Sequence, residues 1–326
     1  MNIKEILNKF PLRVALTDYC NLHCFFCSNE GMDLSCKNLR HIDLESLKYL
    51  LKLTKENGLN NLSLTGGEPS LYSNIDELLT FVKSLNLKQT FFHTNGTYLT
   101  KELIDKHLKY FSKVAVSTHS LNFNIWSRLT GGNQEQFDRL MNNLGYLGEY
   151  SKAGKLLVEI KEVPMTGVND SKESIREILD LCAENKFKFK FLNFEPITKD
   201  QQKYQKDLKD IMEKIVSLGA EALQPDESFR GQKDYLPLNW FSYKGVKGVV
   251  IEIGCGQEYA CETCADSNEI FVDPGFQIKP CHASDFSIPL KEFIANKEDQ
   301  KILDAFIESR EFLATKPGLG ASNWLN

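Results

Sequence analysis

Several features are missing from this sequence, and each absence excludes a class of protein. No apolar run in its 326 residues approaches the ~20 that a membrane span requires. The N-terminus, Met1 to Phe10, has neither the long apolar stretch nor the small-residue cleavage site of a secretory signal, and reads as a short amphipathic helix. Basic residues are the minority, 39 Lys and Arg against 44 Asp and Glu, and no basic tract stands out. Binding to nucleic acid by bulk charge is therefore not expected. No internal repeat is found, and 42% apolar with 25% charged residues excludes a disordered chain, a collagen and a coiled coil. The expected setting is the cytoplasm, with neither membrane nor nucleic acid as partner.

Cysteine is present in number, and that needs a reason, because disulfides do not persist in such a compartment. The nine cysteines fall into groups: Cys20, Cys24 and Cys27 lie within eight residues, and Cys255, Cys261, Cys264 and Cys281 within twenty-seven. Cys36 and Cys182 stand apart and read as ordinary thiols. Two thiol clusters far apart in the chain point to two metal sites.

Between Leu12 and about Pro196, short apolar runs alternate with amphipathic stretches. The runs Leu12–Thr17, Asn61–Thr65, Lys88–Thr94, Lys113–Ser117, Leu156–Val163 and Lys186–Phe194 read as strands. The stretches Asp43–Asn57, Asn74–Leu85, Lys101–Tyr110, Gln134–Tyr150 and Ser171–Asn185 read as helices, with Asp43 and Asn74 as N-caps and Gly58 as a stop. Such alternation implies right-handed crossovers and a parallel sheet covered by helices. Six units are too few to close an eight-stranded barrel, so the expected fold is α/β, a partial (β/α)6 TIM-like barrel with a smaller C-terminal domain. The expected division is a barrel over residues 1–198, a linker helix and loop over 199–244, and a cysteine-bearing domain over 245–326. Within the linker, Asp200–Leu218 reads as one long charged helix and Gln224–Lys247 as loop.

Strand alternation also indicates what lines the barrel. Phe187, Phe189 and Phe191 should face the helices, which turns Lys186, Lys188 and Lys190 inward or to the rim. Arg13 lies opposite Leu12 and Val14, and Glu159 and Lys161 opposite Val158 and Ile160. Unpaired charges cost several kcal/mol to bury. An interior holding Arg13, Lys161 and Lys190 must therefore contain anions or water, unless the charges pair structurally, for example Lys161 with Glu159.

The run Cys20-Asn-Leu-His-Cys24-Phe-Phe-Cys27 follows the first strand, at the end where parallel α/β folds place active sites. Three thiolates so close can hold one face of an iron–sulfur cube and leave one iron open. A Cys3His zinc site through His23 is the alternative, but no second local pair completes it.

The spacing Cys-x3-Cys-x2-Cys, with Phe26 before the last cysteine, resembles the signature of the radical S-adenosylmethionine (SAM) enzymes. Gly66-Gly67-Glu68-Pro69 after the second strand is similar to the motif that receives the SAM amino group. Thr94-Asn95-Gly96 and Ser117, ending the third and fourth strands, fall where that family makes further SAM contacts. The resemblance implies a [4Fe-4S] cluster on Cys20, Cys24 and Cys27, whose open iron takes the SAM amino and carboxylate groups. It implies reductive cleavage of SAM to a 5′-deoxyadenosyl radical that abstracts a substrate hydrogen, with a flavodoxin- or ferredoxin-type protein as electron donor.

Cys261-Glu-Thr-Cys264 and Cys281, with Cys255 upstream, resemble the auxiliary-cluster region of the GTP 3′,8-cyclase (MoaA-type) family of molybdenum-cofactor biosynthesis. The similarity extends over most of the chain, from Leu12-Arg13-Val14 through Gly167-Val168-Asn169-Asp170 to Phe271-Val272-Asp273-Pro274-Gly275. It implies a second [4Fe-4S] cluster on Cys255, Cys261, Cys264 and Cys281, closed if all four ligate. A four-cysteine zinc site is the alternative.

The departures bear on the substrate. Two arginines that grip triphosphate in that family are replaced by Asp266 and Asn268, the arginine expected after the Gly-Gly-Glu-Pro motif is absent, with Tyr72 nearby, and the C-terminal Gly-Gly is missing. Arg13 and Lys190 keep basic character at phosphate-contact positions. The expected substrate is accordingly a small anionic metabolite or nucleoside-like molecule, with Arg13, Lys161 and Lys190 at the reacting end. Peptide modification and GTP cyclisation are the other readings. For the peptide reading, the barrel begins near residue 11 and leaves no room before it for a leader-binding domain.

Overall fold

The computed structural model describes residues 1–27, 39–194, 196, 198–224, 238–251, 269–281 and 284–315. The chain enters through helix α1 (Ile3–Lys9), held by a capping box in which Asn2 and Glu5 each accept the other's backbone N–H. Six strand–helix units follow. The strands are β1 (Leu12–Ala15), β2 (Asn61–Thr65), β3 (Gln89–Thr94), β4 (Lys113–Ser117), β5 (Leu157–Glu162) and β6 (Lys188–Leu192). The intervening helices are α2 (Leu44–Glu56), α3 (Ile75–Ser84), α4 (Lys101–Lys106), α5 (Phe123–Thr130), α6 (Gln134–Lys152) and α7 (Lys172–Asn185). The strands pair in parallel and in sequence order, as a partial barrel requires.

The sheet does not stop at six strands. After α8 (Leu208–Ser217) and β7 (Glu221–Leu223), the hairpin β8 (Leu238–Tyr243) and β9 (Val246–Ile251) lays β9 parallel against β6. At the other edge β10 (Ile270–Val272) lies parallel against β1, followed by the antiparallel β11 (Gln277–Lys279) and β12 (Ile288–Pro289). Eight parallel strands thus run from β10 to β9, finished at each edge by antiparallel partners, in the order β12-β11-β10-β1-β2-β3-β4-β5-β6-β9-β8-β7. Among the described strands the two edges do not pair, so the barrel is open.

The core lies between the sheet and its helices. Val14, Leu64, Phe92, Val116, Ile160, Phe189 and Phe191 are buried on the outer face, and Leu47, Leu51, Leu79, Leu144 and Ile178 meet them from the helices. Burying each such side chain stabilises the fold by about 1.5–3 kcal/mol. Both faces of most parallel sheets are apolar. Here the inner face carries Arg13, Ser63, His93, Glu159, Lys161 and Lys190 instead.

Several local expectations change. The sixth strand begins at Lys188 rather than Lys186, because Lys186 takes a left-handed conformation (φ 55°) that ends α7. The long helix expected over Asp200–Leu218 is two pieces, a 3-10 turn at Lys199–Tyr204 and α8, separated by extended Gln205 and capped by the Asp207 carboxylate on Lys209 N–H. Helix Lys101–Tyr110 breaks at His107 into α4 and a 3-10 turn. Asp43 caps α2, whereas Asn74 makes no side-chain cap bond. The loop expected over Gln224–Lys247 contains β8. Helix α5 was not foreseen between the fourth strand and α6. No helix among the described residues is long and apolar enough to cross a membrane.

Candidate active site

The cysteine loop leaves β1 and is held by backbone bonds to the segment that α5 provides. His23 N–H donates to Thr130 C=O (2.8 Å) and Phe25 N–H to Leu129 C=O (3.3 Å), while Gln136 and Gln201 side-chain amides donate to the carbonyls of Asn21 and Phe25. Gly131 (φ 68°) ends α5 where the loop crosses it. Phe25 and Phe26 pack beside Leu129, Met165 and Phe194, and the Phe26 ring meets His119 edge-on at 4.8 Å. Cys20 and Cys24 are half-buried and Cys27 is exposed.

The Gly66-Gly67-Glu68-Pro69 turn fits directly against this loop. Gly67 N–H donates to Thr17 C=O (2.7 Å) and Glu68 N–H to Tyr19 C=O (2.8 Å). A Cβ on Gly67 would lie 2.2 Å from the Tyr19 oxygen, and on Gly66 (φ 140°) 2.6 Å from that of Thr17. Both glycines are therefore required by close backbone approach. The Glu68 carboxylate is fully buried: Oε1 accepts from Ser70 N–H (3.1 Å), Ser70 Oγ (2.6 Å) and Thr94 Oγ (2.7 Å), and Oε2 from Asn95 N–H (2.6 Å). Desolvation raises its pKa, against the lowering effect of those donors. Asn95 in turn reaches Asn21 Oδ1 (3.0 Å) and the Cys20 sulfur (3.7 Å). One buried carboxylate thus ties the ends of β2 and β3 to the first cysteine. Ser117 closes β4 in register with Lys161.

Replacing Glu68 with glutamine puts an N–H2 group against hydrogen-bond donors. The expected result is SAM binding weakened by roughly 1.5–3 kcal/mol, with iron–sulfur absorbance retained. Equilibrium binding of SAM to the reconstituted variant checks it, and unchanged affinity would remove Glu68 from the SAM site.

Below the strand ends, the barrel interior is charged. Arg13 Nη1 pairs with Glu269 (2.8 Å) and its Nη2 donates to Thr65 Oγ (3.3 Å). Glu159 pairs with Lys113 (3.1 Å), and not with Lys161, the example of structural pairing given as the alternative. Lys161 Nζ instead meets His93 Nδ1 at 2.8 Å, and His93 Nε2 meets Ser63 Oγ at 2.8 Å. Burial alone would raise the Glu159 pKa, but Lys113, Lys190 and Lys161 hold it down to about 2. Desolvation and then Lys190 bring Lys161 down to about 7. Desolvation lowers Lys190 as well, and burial among cations holds His93 neutral. In this group four basic side chains, Arg13, Lys113, Lys161 and Lys190, face two carboxylates, Glu159 and Glu269. Sequence reasoning named Arg13, Lys161 and Lys190, and missed His93 and Ser63. Inward alternation on β2 and β3 was the available signal for both.

The chemistry of the cysteine set fits an iron–sulfur cube. Desolvation pushes Cys20 up to about 11 and Cys24 further, and each thiolate adds to the others' repulsion. Multivalent iron supplies the missing positive charge. Among the described residues no three His, Cys, Asp or Glu side chains converge as they would on a single ion. A cube takes one thiolate on each of three irons and has no need of such convergence. Of the second group, Cys281 is described, half-buried just after β11, and its carbonyl accepts from Ser284 N–H (3.2 Å). Cys255, Cys261, Cys264, Asp266, Asn268 and Cys36 lie outside the described residues. Cys182 is buried on α7.

Residues 14–182 match the family model of the radical SAM superfamily. The chain is 26% identical over 288 residues to a GTP 3′,8-cyclase of Clostridium acetobutylicum, covering 88% of this chain and 85% of that one. It is 24% identical over 306 residues to a GTP 3′,8-cyclase of Stenotrophomonas maltophilia, covering 92% and 89%. Among solved structures it superposes on Streptococcus suis SuiB bound to S-adenosylmethionine with a TM-score of 0.62 at 20% identity, over 94% of this chain and 68% of that one. It also superposes on anSMEcpe with bound AdoMet, with a TM-score of 0.56 at 16% identity over 96% and 93%. Taken with the cysteine loop, its Gly-Gly-Glu-Pro buttress and the open parallel barrel, the match to more than half the chain shows that this protein is an enzyme of the radical SAM superfamily, similar to the GTP 3′,8-cyclases.

Proposed function

We propose that the protein is a radical SAM enzyme acting on a small anionic metabolite or nucleoside-like substrate, held at the barrel mouth by Arg13 and Lys190 with Lys161 alongside. The observation that carries this reading is the surplus of basic side chains turned into the barrel: among the described residues of this group, Arg13, Lys113 and Lys190, with Lys161 beside them, meet two carboxylates, Glu159 and Glu269. Cys20, Cys24 and Cys27 hold the [4Fe-4S] cluster, and Phe26, Gly66, Gly67, Glu68, Thr94, Asn95 and Ser117 form the SAM cradle. Bound together, cluster and SAM supply the 5′-deoxyadenosyl radical. The protein's own groups bind, orient and exclude water. Cys255, Cys261, Cys264 and Cys281 hold a second [4Fe-4S] cluster, closed by Cys255 and assisting by electron transfer or structure. The enzyme works in the cytoplasm with a flavodoxin- or ferredoxin-type donor, and without nucleic acid.

GTP is the substrate of relatives at 24–26% identity, but Asp266 and Asn268 repel or fail to hold a triphosphate where arginines would grip it. A peptide substrate is the second reading, favoured by the similarity in fold to SuiB bound to precursor peptide SuiA (TM-score 0.61). Anaerobic incubation with SAM, reductant and GTP is expected to give no 3′,8-cyclised product. Screening small carboxylates and monophosphates for stimulated 5′-deoxyadenosine formation is expected to give the substrate. Cyclised product at enzyme-like rates would overturn the reading, and stimulation by peptides alone would replace it with the second.

A further inference from the structure

We propose that Lys161 acts as a neutral amine that takes a proton from the substrate, with His93, held by Ser63, as the positioning residue that accepts one Lys161 N–H and leaves the lysine lone pair facing the barrel interior. The inference rests on the reading of that interior as the substrate site.

The geometry is a chain of three groups from β2, β3 and β5, the second contact reaching across β4 where the small Ala115 stands beside His93: Ser63 Oγ to His93 Nε2 at 2.8 Å, and His93 Nδ1 to Lys161 Nζ at 2.8 Å. Two nitrogens at that distance share one proton. For the lysine to keep its lone pair free it must donate to Nδ1, so the imidazole carries its proton on Nε2 and gives it to Ser63. The carboxylate on the same strand face is taken, since Glu159 pairs with Lys113, and Lys161 makes no ion pair among the described residues. Arg13 from β1, Lys113 from β4 and Lys190 from β6 disfavour another positive charge here, while Glu159, and Glu269 through Arg13, oppose them. Burial and these cations bring Lys161 to about 7 and keep His93 neutral, so an amine is available at neutral pH.

One proton moves and no electron leaves. A substrate O–H or N–H bond breaks heterolytically, its pair stays on the heteroatom, and the proton becomes the third N–H of a Lys161 ammonium. The anion produced lies beside Arg13 and Lys190. A hydroxyl or amine on a carbon that has lost hydrogen is far more acidic than its parent, because the unpaired electron delocalises over the anion. The substrate class this selects is an anionic alcohol or amine, with the O–H or N–H on the reacting carbon.

The test uses reconstituted holoenzyme labelled with [13Cε]lysine and [15N]histidine, followed by NMR against pH. Lys161 is assigned by its loss in Lys161→Arg, or in Lys161→Met should the arginine variant not fold. The expected result is a Lys161 midpoint near 7, against the ordinary lysine value of about 10.4, with His93 neutral and protonated on Nε2. A Lys161 still ammonium at about pH 9, or a His93 protonated on Nδ1, would overturn the proposal. Sodium acetate is then added as the carboxylate probe. Movement of the Lys190 signal supports the anion site. A static Lys190 signal with Lys161 titrating near neutrality would sink the anion site and leave the base standing.

Discussion

Anaerobically reconstituted protein with Cys20, Cys24 and Cys27 all changed to alanine is expected to hold about four irons where the unaltered chain holds about eight, and to cleave no SAM. Three thiolates each bind a separate iron, so removing all of them leaves nothing to retain the cube. Loss of fold is not the expected cause. The loop is positioned by His23 and Phe25 N–H groups on Thr130 and Leu129 carbonyls, and by Gly67 and Glu68 N–H groups on Thr17 and Tyr19, none of which involves a thiol. Burial raises the proton affinity of Cys20 and Cys24, so the metal-free loop carries neutral thiols, and at these two positions alanine gives up only the long contacts that the Cys20 sulfur accepts from Leu22 N–H (3.5 Å) and the Asn95 amide (3.7 Å). Iron analysis, circular dichroism and 5′-deoxyadenosine assay together check this. Stoichiometric zinc in the unaltered protein, or unimpaired cleavage in the triple variant, would reject the assignment.

Arg13→Gln is expected to lower substrate-stimulated hydrogen abstraction by roughly 10- to 150-fold, leaving both clusters and slow uncoupled SAM cleavage in place. The range is that of one charge-assisted hydrogen bond, about 1.5–3 kcal/mol. Bare Coulomb attraction at 4 Å and an effective dielectric near 20 gives about 4 kcal/mol. The lower range applies because Glu269, 2.8 Å away, already offsets part of the arginine charge. The neutral change is also the cleaner one, since Arg13→Glu would set two carboxylates face to face between β1 and β10 and disturb their pairing. Deuterium transfer from substrate into 5′-deoxyadenosine measures the effect. Equal rates with and without the Arg13 charge would remove it from the substrate site.

Much of this enzyme was decided by the sequence alone, and for local reasons. The cysteine spacing lies within one loop, and the Gly-Gly-Glu-Pro and Thr-Asn-Gly turns each lie within four residues of a strand end, so chemistry and place could be read together. Alternation of period two turned Phe187, Phe189 and Phe191 outward and Lys190 inward, and all three phenylalanines are buried against the helices. What escaped the sequence depends on chain segments far apart. The Leu129 and Thr130 carbonyls of α5 receive the cysteine loop, and only the folded chain brings them together with His23 and Phe25. The pairings of β9 with β6 and β10 with β1 join residues separated by some sixty and two hundred and fifty positions, respectively, and no local periodicity records such a choice. Glu159 could have paired with Lys161 two residues on. The register instead gave it Lys113 on the neighbouring β4, and left Lys161 to reach across β4 to His93 on β3, past the small Ala115. Residue types settled which charges enter the barrel, and the tertiary structure settled which of them are neutralised.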